Sequence, residues 1–206
     1  MASTGVKAFL LDIGGVLLTK GWDRDARKRA AAKFGLDLEE MQERHNVVFQ
    51  TYETGRITID EYLRRIVFYR ERDFSPDEFK QFIYEQSQPY PDMLDFCKLL
   101  KACYNLKTVA LSNEGREITM HRIQKFDLPS LIDFFVFSCF VRTRKPDPAM
   151  YSFAMDQVQL SKDEVIYIDD TPILCEVGIE LGIPTICHSD VATTRAELEK
   201  YGLSLP

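Results

Sequence analysis

The sequence predicts an α/β protein whose parallel sheet is interrupted, after its first strand, by an inserted helical segment. Short apolar segments typical of strands alternate with helical segments over much of the 206 residues. These strand segments are apolar on both faces, as expected for a parallel sheet that helices cover on both sides. The stretch from residue 22 to 88 has only a helical pattern.

Five strands are predicted along the chain. They are VKAFLLD (6–12), LKTVALS (106–112), DFFVFSC (133–139), EVIYIDD (164–170) and IPTICH (183–188). The helices predicted between them cover residues 92–104, 116–126, 147–159 and 172–181. We therefore expect an α/β core formed by residues 1–18 and 91–206, with a helical cap at 19–90.

Capping signals subdivide the helical segment. Gly55 is the type of residue that ends a helix, and Thr58 followed by Glu61 has the spacing of a capping box. Ser75 and Glu78 repeat that spacing, with a proline at the first helical position between them. Each of the two boxes predicts the start of a helix.

Composition favours a soluble cytoplasmic protein. The net charge is -6, whereas nucleic-acid binding is usually associated with a basic face. The apolar stretches are well short of the roughly 20 residues of a membrane span, and the first strand lacks the basic flank of a signal peptide. The five cysteines include no CxxC pair and are expected to be buried, reduced thiols. We expect neither nucleic acid nor a membrane as partner, and the sequence does not indicate an oligomeric state.

Polar residues stand where the predicted strands stop. The first strand ends in Asp12, the second in Ser112–Asn113 and the fourth in Asp169–Asp170, and Lys145 lies in the loop after the third. Each of these residues by itself is common in turns and helix caps. Together they are expected at one edge of the sheet, because ligands of open α/β sheets bind at the carboxyl ends of the strands.

This set of groups suits phosphoryl transfer. A carboxylate such as Asp12 can attack phosphorus and form an acyl phosphate. Two or three carboxylates bind a hard divalent cation, and Mg²⁺ is the cation we expect. The cation, Lys145 and the Ser112 hydroxyl would stabilise charge on the phosphoryl oxygens, which is most of what this reaction requires. The predicted substrate is a small phosphorylated metabolite.

Four segments resemble the motifs of the haloacid dehalogenase (HAD) superfamily of phosphohydrolases, in the subfamily with a helical C1 cap after the first strand. They are FLLDIGGVL, VALSNEG, RKPDPAMY and VIYIDD. The SN, KPDP and DD forms are similar to those of the phosphatase domain of soluble epoxide hydrolase and of bacterial sugar-1-phosphate phosphatases. The resemblance covers essentially the whole chain and implies a Rossmann-like core.

The resemblance also implies roles for the residues at the strand ends. Asp12 is implied to be the nucleophile and a Mg²⁺ ligand, and Lys145 to orient Asp12 and the phosphate. Ser112 is implied to bind the phosphate with the Asn113 backbone. Of the acidic pair, Asp170 is the other metal carboxylate, and Asp169 supports Lys145 and the water shell of the metal.

The first motif departs from the family at Gly14. The family has a second Asp at this position, which protonates the leaving group, later activates water, and contacts Mg²⁺ through its backbone carbonyl. Gly14 keeps that carbonyl and lacks the carboxylate, so it remains an expected metal contact. Gly15 is expected to let the backbone turn tightly beside the phosphate. Leu174 also replaces an Asn that is frequent after the fourth motif.

Three interpretations of Gly14 follow. The protein is a phosphatase whose substrate, such as an anomeric sugar phosphate, has a good leaving group. Alternatively another acid replaces the missing one, and Glu114, Asp23 and Asp25 are the candidates. In the third interpretation the chain is a pseudoenzyme that binds a phosphorylated ligand or protein partner. An active enzyme is favoured because the other expected site residues are present.

Other functional classes fit less well. A receiver domain of two-component signalling carries its acidic pair on the first strand and its acceptor Asp on the third, which is the reverse of the order here. A dehalogenase needs no metal and has little use for Asp169–Asp170. In the cap, substrate contacts are expected from Trp22, Arg44, His45 and Tyr52, since a cap contacts the leaving group.

Overall fold

The computed structural model describes residues 5–205 and contains a five-stranded parallel sheet. Residues 1–4 and 206, which belong to the predicted α/β unit, lie outside the described residues. The strands are β1 (Ala8–Leu11), β2 (Lys107–Ser112), β3 (Phe134–Phe137), β4 (Val165–Asp169) and β5 (Thr185–Cys187). Their order is β3-β2-β1-β4-β5 and all neighbours are parallel, which confirms the predicted fold class.

The register aligns the carboxyl ends of the three central strands. Leu11 at the end of β1 pairs with Ala110 of β2 on one side and with Ile168 of β4 on the other. The next residue, Asp12, extends this alignment, because its N–H donates to the Ile168 carbonyl at 2.9 Å. Asp12 is thereby placed between the ends of β2 and β4.

Ten α-helices surround this sheet within the described part of the chain. They are α1 (Arg24–Phe34), α2 (Leu38–Glu53), α3 (Ile59–Ile66), α4 (Pro76–Glu85), α5 (Pro91–Tyr104), α6 (Arg116–Lys125), α7 (Ser138–Val141), α8 (Pro148–Val158), α9 (Pro172–Glu180) and α10 (Val191–Glu199). Two 3₁₀ turns lie at Leu128–Ser130 and Lys162–Glu164. No helix in residues 5–205 has the length and apolar character needed to cross a membrane.

Two elements differ from the sequence prediction. The strand predicted over 133–139 ends at Phe137, and the short helix α7 begins at Ser138. The Ser138 hydroxyl donates to the Glu53 carbonyl at 2.7 Å and accepts from the Glu114 N–H at 2.9 Å, so long-range hydrogen bonds fix the position at which the strand ends. Helix α10 was not predicted because its apolar pattern is weak: Thr194 and Leu198 are its buried residues.

The sheet is apolar on both faces, as the sequence predicts. Successive β1 residues belong to two different clusters: Phe9 and Leu11 pack on one face, and Ala8 and Leu10 on the other. All four side chains are fully buried. The cysteines follow the expectation only in part, since Cys103 and Cys187 are exposed while the other three are buried.

Helices α1 to α4, called the cap helices below, share a separate apolar cluster, called the cap cluster. Phe79 lies at its centre, fully buried, and its ring contacts those of Trp22, Phe34 and Phe74 at centroid distances of 5.8, 4.9 and 5.9 Å. No strand lies between Arg24 and Glu85. The division of the chain into a cap at 19–90 and a core on either side stays a prediction.

The capping signals form as expected. The Thr58–Glu61 and Ser75–Glu78 boxes both have their reciprocal hydrogen bonds at the starts of α3 and α4. Helix α2 ends at Glu53, and Gly55 follows with a positive φ of 63°. These local bonds fix the ends of the cap helices independently of the sheet.

We expect Phe79→Ala to lower the free energy of unfolding by about 3–5 kcal/mol, because the substitution leaves a cavity at the centre of the cap cluster. Val47→Ala is the control, since Val47 lies on cap helix α2 with 81% exposure and its loss should change stability by less than about 0.5 kcal/mol. Urea denaturation followed by circular dichroism measures both. Equal losses for the two variants would contradict this description of the cap.

Candidate functional site

A cavity of about 280 Å³ opens at the carboxyl ends of β1, β2 and β4. Its lining includes Asp12, Gly14, Lys20, Ser112, Asn113, Glu114, Arg122, Lys145 and Asp170. The four sequence segments expected at this edge therefore lie together. Of the residues that sequence analysis singled out there, Asp169 lies beneath the cavity and Gly15 lies outside its lining.

Lys145 is the central charged group of the site. Its ammonium is 3.1 Å from Asp12 Oδ1 and 2.6 Å from Asp169 Oδ2, and the side chain is 1% exposed. Burial acts to lower the pKa of Lys145, but the two carboxylates outweigh it and raise the pKa above its usual range. Lys145 is thus a buried, permanently charged cation in contact with the expected nucleophile.

Asp169 accepts hydrogen bonds at both of its carboxylate oxygens. Its Oδ2 accepts from Lys145 and from the Tyr167 hydroxyl, and its Oδ1 accepts from the Thr171 N–H at 2.8 Å. Burial acts to raise the pKa of Asp169, but Lys145 and these hydrogen bonds bring it below the usual value. This geometry suits a carboxylate that holds Lys145 in place.

Asp12 points into the cavity and is 7% exposed. Burial raises the pKa of Asp12, and Asp169 adds to that effect, whereas Lys145 and the Ser112 hydroxyl lower the pKa. The carboxylate therefore depends on neighbouring positive charge to remain ionised. Lys145 supplies part of that charge in the structure.

Asn113 positions the loop that carries Lys145. Its side-chain Nδ2 donates to the Lys145 carbonyl, and its Oδ1 accepts from the Lys145 N–H, both at 2.8 Å. This reciprocal pair fastens the end of β2 to the Lys145 backbone. The sequence prediction considered only the Asn113 backbone, and the side-chain contact is a further role that the motif did not indicate.

The acidic groups at this edge are suited to a metal ion. Carboxylate oxygens of Asp12, Asp169 and Asp170 lie within 4.8 Å of one another, and Mg²⁺ prefers oxygen ligands of this kind. Because Asp169 lies outside the cavity lining and is hydrogen-bonded at both oxygens, Asp12 and Asp170 are the carboxylates better placed to hold the ion. Asp170 forms an ion pair with Lys20 at 2.7 Å, a contact that sequence analysis did not foresee.

The two glycines of the first motif differ in their surroundings. Gly15 has a φ of 97°, and a Cβ there would lie 2.3 Å from the Asp170 carboxylate. The close approach to Asp170 explains this glycine without a contact to phosphate. Gly14 has no such restriction: a Cβ would meet Lys20 Cα at 3.5 Å and Arg122 Nη1 at 3.6 Å, which are ordinary contact distances.

A second cavity, of about 350 Å³, lies between the cap helices and the end of β2. Three of the four expected cap residues line it, namely Trp22, His45 and Tyr52. Arg44 lines neither cavity, since its guanidinium lies 3.4 Å from the centroid of the Tyr69 ring.

Tyr62 organises the cap cavity and was not predicted. Its hydroxyl accepts from Trp22 Nε1 at 2.8 Å and hydrogen-bonds His45 Nδ1 at 2.7 Å. Burial lowers the pKa of His45 to about 3, with a further contribution from Arg27. His45 is therefore a neutral hydrogen-bonding group near neutral pH.

The three candidate replacement acids have different environments. Asp23 is the N-cap of α1 and accepts from the Ala26 N–H at 2.8 Å, and Asp25 is exposed on that helix. Glu114 is 8% exposed and lines both cavities. Its partner Arg122, which sequence analysis did not identify, is fully buried and lies 2.5 Å from Glu114 Oε1.

Comparisons with known proteins identify the family of this chain. The family model for haloacid dehalogenase-like hydrolases matches residues 6–176. Flavin mononucleotide hydrolase 1 of Arabidopsis thaliana is 26% identical over 84% of this chain and 70% of its own length. D-ribitol-5-phosphate phosphatase of Bacteroides thetaiotaomicron is 23% identical over 94% of this chain and 97% of its own length. Bifunctional epoxide hydrolase 2 of Sus scrofa is 26% identical over 95% of this chain, which spans 38% of that longer protein.

The fold is shared with solved structures. A HAD family enzyme of Bacteroides thetaiotaomicron, solved as a magnesium complex, superposes with a TM-score of 0.76 at 23% identity, covering 92% of this chain and 98% of that one. The matched family model spans all four motifs and most of the sheet. The chain therefore belongs to the haloacid dehalogenase-like hydrolases.

Proposed function

We propose that this hydrolase is a Mg²⁺-dependent phosphatase acting on a small phosphomonoester through an aspartyl-phosphate intermediate. The observation that carries the proposal is the placement of Asp12, which contacts the buried Lys145 ammonium and lies beside Asp170 at the mouth of a small polar cavity. A buried carboxylate flanked by a fixed cation and by a possible metal ligand is suited to attack an anionic phosphoryl group.

Each residue of the cavity has a distinct role in the proposed reaction. Asp12 attacks phosphorus, and the P–O bond to the leaving group breaks. Lys145 keeps Asp12 ionised and neutralises charge on the phosphoryl oxygens, to which the Ser112 hydroxyl donates a hydrogen bond. Mg²⁺, held by Asp12, Asp170 and the Gly14 carbonyl, would supply additional positive charge at the same oxygens when bound. Water then hydrolyses the acyl phosphate.

The cap cavity supports a small polar substrate such as a sugar phosphate. It adjoins the Asp12 cavity and combines aromatic rings with hydrogen-bonding groups, including Trp22, Tyr62 and His45. Relatives are named as phosphatases of D-ribitol 5-phosphate and of phosphorylated carbohydrates. A pentose or pentitol unit would fit a volume of about 350 Å³. The alternative to a phosphatase is a protein that binds a phosphorylated ligand or partner without turnover, because Gly14 stands where the family has an acid.

We expect the purified protein to hydrolyse p-nitrophenyl phosphate with Mg²⁺, and Asp12→Asn to lower kcat by at least about a thousandfold, because the variant lacks the nucleophile. Asp156→Asn, an exposed carboxylate on α8, is the control and should retain full activity. Release of nitrophenolate measures both variants. Absence of wild-type hydrolysis on this ester and on a panel of sugar phosphates would instead favour the non-catalytic binding protein.

A second prediction concerns the Lys20–Asp170 ion pair. Metal binding at Asp170 must compete with the Lys20 ammonium, so Lys20→Met should bind Mg²⁺ about 2- to 5-fold more tightly, the size expected for a half-exposed pair. Isothermal titration calorimetry without substrate measures the dissociation constant. Lys28→Met, an exposed lysine on α1, is the control. Unchanged or weaker Mg²⁺ binding by Lys20→Met would contradict the assignment of Asp170 as a ligand.

A further inference from the structure

Glu114 stands where the two cavities meet. Both the cavity over Asp12 and the cap cavity are lined by Lys20, Asn113 and Glu114. A substrate with its phosphoryl group over Asp12 and its remaining part in the cap would place the bridging oxygen at this junction. Within residues 5–205, Glu114 is the only acidic residue that the linings of these two cavities share.

The carboxyl group of Glu114 forms an ion pair at one oxygen and has no hydrogen bond of normal geometry at the other. Its Oε1 lies 2.5 Å from Arg122 Nη1, whereas among the described residues no hydrogen bond of normal geometry reaches the buried Oε2. The Glu114 backbone N–H donates to Ser138 Oγ at 2.9 Å, so the residue is fixed at both ends. A buried, unpartnered carboxylate oxygen on a residue that lines both cavities is suited to a hydrogen bond with a substrate atom.

Arg122 is itself rigidly placed. Its Nε donates to the Ser87 hydroxyl and its Nη2 to the Thr19 carbonyl, both at 2.9 Å. The guanidinium is 1% exposed and faces Gly14, since a Cβ on that glycine would lie 3.6 Å from Nη1. A carboxylate extending from position 14 would thus reach the Arg122 guanidinium, which here forms an ion pair with Glu114. Glu114 reaches this space from the loop after β2 instead of from the first motif.

Burial favours a proton on Glu114 more than the surroundings of an exposed glutamate would. Burial raises the pKa of Glu114, and Asp12 adds to the effect, whereas Arg122 on α6 and the Thr119 hydroxyl lower it. Glu53 and Tyr52 of α2 also face Glu114. A general acid works best when its pKa is raised toward the operating pH.

We infer that Glu114 is the general acid and base of this protein, in place of the carboxylate that Gly14 lacks. The inference rests on the proposed phosphatase function. As Asp12 forms its bond to phosphorus and the P–O bond breaks, Glu114 Oε2 transfers its proton to the leaving oxygen, which departs as an alcohol. Water then attacks the aspartyl phosphate, its proton returns to Glu114, and Asp12 and inorganic phosphate are released.

The test uses a series of substituted phenyl phosphates, from p-nitrophenyl to unsubstituted phenyl. The parameter kcat/KM reports formation of the aspartyl phosphate, and nitrophenolate needs no proton to depart. Glu114→Gln should lower kcat/KM for phenyl phosphate by about 10²-fold or more but for p-nitrophenyl phosphate by less than about tenfold. The dependence of kcat/KM on leaving-group pKa therefore becomes steeper than in the wild type.

Three further variants separate a proton-transfer role from a structural one. Glu117→Gln is the matched control, because Glu117 also carries a buried unpartnered Oε2 but lines neither cavity. This variant should leave the dependence of kcat/KM on leaving-group pKa unchanged. Glu114→Asp retains a carboxylate for Arg122 while shortening the side chain, and it should show the same selective loss if Glu114→Gln fails to fold. Adding Gly14→Asp to Glu114→Gln should restore phenyl phosphate hydrolysis.

The outcomes distinguish this inference from the proposed function. If kcat/KM falls equally for all esters in Glu114→Gln and Glu114→Asp, or falls for none, the role of Glu114 is overturned. The proposed phosphatase function is not affected by that result. A wild-type protein that hydrolyses none of the esters with Mg²⁺ overturns both. If Gly14→Asp does not restore activity in the Glu114→Gln background, this result contradicts the inference that Glu114 replaces an acid at position 14.

Discussion

The rest of the site depends on one buried cation, the ammonium of Lys145, placed between Asp12 and Asp169. A buried ammonium is tolerated only when carboxylates and hydrogen bonds compensate its lost hydration. The parallel register supplies those carboxylates, because it brings the ends of β1 and β4 side by side. The Asn113 side chain then fastens the Lys145 backbone to β2. Strand alignment and charge compensation are therefore parts of the same arrangement.

A second buried cation links the two ends of the segment that carries helices α1 to α4 to this centre. Arg122 binds the Thr19 carbonyl and the Ser87 hydroxyl, which flank the inserted helices, and it binds Glu114 at the end of β2. The approach of the cap is also close at Gly115, where a Cβ would lie 2.1 Å from the Tyr52 ring. Glycine is required there because the cap and the β2 loop are in direct contact. The cap cavity and the Asp12 cavity consequently share a wall.

This shared wall bears on the absence of an acid at position 14. The first motif retains Asp12, the proposed nucleophile, and the backbone carbonyl of position 14. The space next to Gly14 faces a guanidinium that forms an ion pair with Glu114. An acid in the loop after β2 can reach the same region as one in the loop after β1, because the two strands are adjacent in the sheet. A carboxylate missing from the first motif can thus be replaced by one that follows the neighbouring strand β2.

The sequence by itself determined the parallel α/β sheet, the helical insertion, both capping boxes and the group formed by Asp12, Ser112, Lys145 and Asp170. These features follow from apolar periodicity, capping chemistry and motifs that lie at strand ends, all of which are local. Only the tertiary structure decided that Glu114 is buried while Asp25 is exposed, and that Lys20 pairs with Asp170. Burial and ion pairing depend on side chains distant in the sequence, such as Arg122 for Glu114, and no local pattern specifies those partners.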